Sequence, residues 1–182
     1  RFEQYFGHLL KSDLPDYCGP DGYPYVRLVG ERLAVIGLDS THLAPAPGLA
    51  FGRLGFGQLR RLGAILDDPA LRGRAVCALV HHAPLHRWGG ADSVTHGLWD
   101  AKALLALLKG RHASVHHGHI HQRYWHRATA DRPHLFGAGA STMRGDEGYW
   151  LIDLAEDGSL TAATIGRPPG SHASADAPGS PA

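Results

Sequence analysis

Hydrophobic positions along this chain follow two rhythms, one of about 3.6 residues and one of short unbroken apolar runs. Phe2, Tyr5, Phe6, Leu9 and Leu10 recur at helical spacing, so the sequence predicts an amphipathic helix at its start. The turn-rich run Cys18-Gly19-Pro20-Asp21-Gly22 breaks it. Residues 25–29 and 32–38 are strand-like and flank Gly30-Glu31, which predicts a β-hairpin whose two-residue turn begins on glycine. Asp39-Ser40 end the second strand, with Asp39 read as a turn or cap residue, and a Pro/Gly-rich loop follows over 41–55. Phe56, Leu59, Leu62, Ile65 and Leu66 return to helical spacing and predict one apolar helix face, stopped by Asp68-Pro69.

Residues 75–80 are a continuous apolar run, the pattern of a strand buried on both faces. Residues 98–108 are Leu-rich and helical, and 113–116 predict a second short buried strand. Further strands are expected at 122–127, 134–138, 149–154 and 160–165, the last two joined across Glu156-Asp157-Gly158. The element order predicts an α/β layered core with parallel strands in the middle. Beyond Arg167 the run of Pro, Gly, Ser and Ala predicts a disordered tail over 167–182, leaving 1–166 as the folded part.

Composition narrows the class without naming it. At 182 residues, 43% apolar and 19% charged, the chain has the size and balance of one globular domain. With a formal charge of +1 nothing resembles the one-sided basic surface of a typical nucleic-acid binder; scattered Arg leaves a local basic strip open, but no nucleic-acid partner is expected. No apolar stretch approaches the roughly 20 residues of a membrane span, and no signal peptide is visible, so a cytoplasmic location is the expectation. Cys18 and Cys77 lie far apart and form no disulfide framework; Cys77, inside the 75–80 run, reads as a buried free thiol.

Histidine changes the picture, with 11 of the 14 lying between His81 and His134. Val80-His81-His82-Ala83-Pro84-Leu85 ends one predicted buried strand, and His116-His117-Gly118-His119-Ile120-His121 ends the next. Ligands collect beyond the carboxyl ends of strands in open α/β sheets, so both groups are expected to face one cavity. Gly118 is expected to make the sharp turn, and His119 and His121, two apart, to share one side of an extended segment. Metal binding is the chemistry that this pattern favours over structural histidines, and imidazole alone suits zinc, iron, nickel or copper.

The pair HHAP (81–84) and GHIH (118–121), separated by a helix, resembles the last two motifs of the calcineurin-like metallophosphoesterases, in particular their cyclic-nucleotide phosphodiesterase-like branch. The segments at 34–40 and 136–141 look similar too, and the resemblance spans roughly residues 1–167. It implies a layered αββα sandwich, two divalent metal ions (Fe, Mn or Zn) and hydrolysis of small phosphoesters such as cyclic nucleotides. Carried over by position, His81, His119 and His121 would be metal ligands, with His82 the alternative to His81. The family's other motifs, Asp-x-His, Gly-Asp-x-x-Asp and Gly-Asn-His, do not occur here. They supply the bridging Asp and the leaving-group His, so the chain is expected to be an inactive carboxy-terminal half. The missing sheet would then pack beside the 75–80 strand. The polar loop at 85–97 would overhang the metals, making His86, Arg87 and His96 candidate substrate contacts, with Trp88 packing the loop onto the body or, as the alternative, stacking on a nucleobase. The turn at 143–146 is a further candidate for approaching the site. Other readings are a nuclease or pyrophosphatase of the same superfamily, or a non-catalytic His-rich metal-binding or scaffold protein.

Overall fold

Short β-branched and apolar runs become strands here, and Leu-rich periodic runs become helices that cover one side of them. The computed structural model describes residues 4–5, 7, 11–41, 49–91, 93, 95–140 and 148–166. The predicted opening helix, apart from three positions, the loop at 42–48, the turn at 143–146 and the tail at 167–182 lie outside the described residues.

Strands β1 (Tyr25–Val29), β2 (Leu33–Gly37), β3 (Ala75–Val80), β4 (Ala113–His117), β5 (Arg123–His126) and β6 (His134–Ala138) form one mixed sheet in the order β1-β2-β3-β4-β6-β5. Pairing is parallel through β2, β3, β4 and β6, and antiparallel at both edges. Helices α1 (Gly55–Leu66) and α2 (Ala101–Leu108) connect β2 to β3 and β3 to β4. The chain is therefore α/β, with parallel strands in the middle.

The core lies between the helices and one face of the sheet. Ile36, Ala78 and Val115 from the strands and Leu62, Ile65, Leu104 and Leu108 from the helices are fully buried there. The α1 face is narrower than its spacing suggests. Phe56 is 81% exposed, and Gln58 takes the buried place instead. The Gln58 side chain accepts from Asp39 N at 2.9 Å and donates to Asp39 O at 2.7 Å, tying α1 to the end of β2. Asp39 is a turn residue, its Oδ1 accepting from Thr41 N at 2.7 Å.

Three local expectations shift. The first hairpin turns over three residues, since Val29 pairs with Leu33; Gly30 takes φ 53°, and the Arg32 carbonyl accepts from Ala75 N at the start of β3. The helix expected over 98–108 begins only at Ala101, although Leu98 is in the core. No further strand can pair with β3, because β2 and β4 occupy both of its edges, so a second sheet could meet it only through a face.

The other face of the sheet, where Cys77 and Leu79 are half-buried, is crossed by a separate antiparallel hairpin of β7 (Tyr149–Leu154) and β8 (Leu160–Gly166). This hairpin touches the sheet near its two ends. Trp150 Nε1 donates to Gly137 O of β6 at 2.9 Å, and the turn carries Glu156, 3.5 Å from Arg32, and Gly158, which lies against Ala75. Between these contacts a cavity of about 330 Å³ is left under the strap.

Candidate metal centre

Parallel pairing of β3 with β4 brings the two histidine motifs side by side. Val80 is level with His117, and Gly118 N donates to His81 O at 3.1 Å, one step beyond the strand ends. From there the His81 and His119 rings converge, with His81 Nε2 3.2 Å from His119 Nδ1. The two rings are hydrogen-bonded at this separation, which is also close to the roughly 3.3 Å between two imidazole nitrogens each about 2.0–2.1 Å from one tetrahedral metal, so a shared cation could take the place of the proton. His82 completes the group; a nitrogen from each of the three rings lies within 4.8 Å of the others. Among the described residues this is the one set of three or more such side chains close enough to hold an ion.

The three rings differ in freedom. His81 is exposed and His119 half-buried, while His82 is buried and locked. Its Nδ1 lies 2.8 Å from Ser40 Oγ, which also accepts from His82 N at 3.3 Å, and Ser40 is itself buried. The bare α-carbon of Gly52 abuts the same ring, so closely that a β-carbon there would come within 2.3 Å of it. Burial, followed by the neighbouring His119 and His81, pushes the His82 pKa down to about 4, so the ring is neutral at neutral pH, the form that ligates metals.

The turn after β4 is not an extended segment. His119 and His121 both adopt left-handed backbone, with φ of 64° and 54°, a conformation uncommon outside glycine. Gly118 does not take it, and a β-carbon there would meet nothing within 4 Å. Ile120 N instead folds back onto Gly118 O at 2.8 Å. The two histidines therefore do not share one side of a strand. His119 enters the cluster, whereas His121 is exposed and outside it.

No protein-family model matches the chain, and no curated protein matches it.

Of the candidate substrate contacts, His96 has its ring centroid 6.3 Å from that of His119, with Nδ1 2.8 Å from Thr95 Oγ1. His86 sits in a tight turn whose carbonyl accepts from His126 Nε2 at 3.0 Å, while the neighbouring Leu85 carbonyl accepts from Tyr124 OH. Arg87 lies over the Trp88 ring at 4.2 Å, and Trp88 is 78% exposed rather than packed on the body. The loop is thus pinned to β5 by its backbone, leaving the Arg87-Trp88 pair outward. Ser40 and Gly52 are the site residues that the motifs do not reveal. His117, next to the motif glycine, is buried on the helix side of the sheet.

Proposed function

We propose that this chain contributes the histidine side of a metal centre that hydrolyses phosphoesters, phosphodiesters such as cyclic nucleotides foremost, within a calcineurin-like αββα architecture. The 3.2 Å approach of His81 Nε2 to His119 Nδ1 at two adjacent parallel strand ends carries this reading. His81 and His119 would hold the ion, with His82 as a third donor or a packing support, and His121 would serve a second ion. Fe, Mn or Zn suits the donor set. Bound metal would polarise a phosphoryl oxygen and lower the pKa of a water nucleophile. His96, His86 and Arg87 would meet the phosphate at the rim.

A bridged pair of metals needs a carboxylate, and no described Asp or Glu belongs to the histidine group. On this reading the bridging ligand comes from outside the described residues or from another chain, and the chain by itself binds metal without turnover. The same observation favours the second reading, a metal-binding protein without catalysis.

Metal content and bis(p-nitrophenyl) phosphate hydrolysis, measured together, separate the two. The hydrolase reading expects roughly one metal and no turnover from this chain alone. A longer product of the same reading frame, or a complex supplying carboxylates, is expected to bind two metals and turn over. Bound metal with no hydrolysis in every form leaves the binding protein. Absence of metal, with His81→Ala and His119→Ala behaving as wild type, rejects both.

A further inference from the structure

The cavity beneath the β7–β8 strap is distinct from the histidine cluster, and none of His81, His82 and His119 lines it. Its floor is the sheet face carrying Cys77, Ser114 and His116, and its roof is Ile152, Leu154 and Leu160 of the strap. At about 330 Å³ it falls at the small end of the roughly 300–1,000 Å³ typical of ligand pockets, and most of its wall is apolar.

Polar groups reach that wall in a defined way. Ser114 Oγ lies 3.0 Å from His116 Nε2 and also hydrogen-bonds the Cys77 thiol. His134, also on the wall, receives two donors on one nitrogen: Trp125 Nε1 at 3.2 Å and Ala128 N at 3.0 Å both point to Nδ1. An imidazole nitrogen that accepts cannot carry the proton, so neutral His134 holds its proton on Nε2 as a donor. No acceptor among the described residues engages it.

The wall carries no carboxylate; its cation is Arg111, with the exposed His112 beside it. Burial pushes the Cys77 thiol up to about 11 and His116 down to about 4, and lowers His134 as well, so the thiol and both rings are neutral at neutral pH. Arg111 is engaged by Asp67 Oδ1 at 2.8 Å, Leu66 O at 2.9 Å and Leu107 O at 3.3 Å. A cation would find no carboxylate on the wall, and an anion would lose its hydration and have to compete with Asp67 for Arg111.

We propose that this cavity binds a small, uncharged, mainly apolar molecule bearing one hydrogen-bond acceptor, such as a carbonyl, which takes the Nε2 proton of His134. The apolar body lies between Cys77 on the floor and Leu154 and Leu160 on the roof.

Acetophenone, ethylbenzene and benzoate are the probes, similar in size but differing in acceptor and charge. Saturation-transfer NMR is run on the full chain with EDTA present, so that the result is independent of the metal centre. Acetophenone is expected to bind, ethylbenzene to bind about tenfold more weakly for want of the acceptor, and benzoate not to bind. Cys77→Leu fills the floor and Leu154→Phe the roof, and either, once shown to be folded by circular dichroism, is expected to abolish acetophenone binding. Bound acetophenone is also expected to slow alkylation of Cys77 by iodoacetamide. No binding by any probe, equal binding of acetophenone and ethylbenzene, or binding that survives both variants would overturn the proposal.

Discussion

A hydrogen atom in place of a side chain at Gly52 gives the His82 ring the room it occupies. A β-carbon there would come within 2.3 Å of ring atoms Cγ and Nδ1, so either the ring or the loop must move. Gly52→Ala is expected to cost about 1–3 kcal/mol by overpacking, read as a lower urea midpoint with an unchanged slope. Metal affinity should fall with it, because displacing His82 disturbs the ring packed 4.4 Å away, His119. Neither Gly52 nor Ser40 was legible in the sequence, since each meets His82 only through the fold, Ser40 from 42 residues away. His81, His82 and His119 were legible because strand-end histidines on neighbouring parallel strands must come close. Period-two reasoning applied to His119 and His121 did not carry, because it assumes extended backbone and both residues are left-handed.

Helix α1 illustrates the same divide one level up. Its position was legible from Leu62, Ile65 and Leu66, but its amino-terminal support was not. Leu54 precedes the helix and offers no side-chain cap. The Asp100 carboxylate, just before α2, takes over, accepting from Leu54 N at 3.0 Å and Gly55 N at 2.8 Å. This cap also positions negative charge at the positive end of the α1 dipole and couples the two helices. Asp100→Ala is expected to destabilise by about 1 kcal/mol in urea unfolding, with Asp100→Asn retaining part of the loss. Phe56 fits the helical spacing yet stays in solvent, because the inward position of the first turn is taken by Gln58 bridging to Asp39. Spacing identifies a face but not where along the helix that face meets its neighbour.

At the scale of the whole molecule, buried neutral histidines set how stability answers to pH. The folded pKa of His116, about 4, lies below its ordinary 6.5, so on acidification the unfolded chain takes the proton first. Its contribution is full above about pH 6.5 and is lost progressively as pH falls toward 4. Each such group adds a slope of up to about 1.4 kcal/mol per pH unit within that window. Urea midpoints are therefore expected to drop between pH 7 and pH 4.5, before the carboxylates titrate, and His116→Gln should flatten part of that drop. The parallel middle of the sheet was legible because the unbroken apolar run at 75–80 and the short strand pattern at 113–116 alternate with Leu-rich helical segments. The placing of β7–β8 across the opposite face was not legible, for its alternation fits any half-covered hairpin. That hairpin keeps its ladder to itself, pairing β7 only with β8. It can therefore lift with its own ladder whole and without breaking any strand pairing in the sheet, giving up the Trp150 bond and the packing of Trp150 on Phe136 and Trp125 at one end, and the Arg32–Glu156 and Gly158–Ala75 contacts at the other. The Cys77 sulfur beneath would then act as a clock, its rate of chemical labelling counting how often the strap lifts.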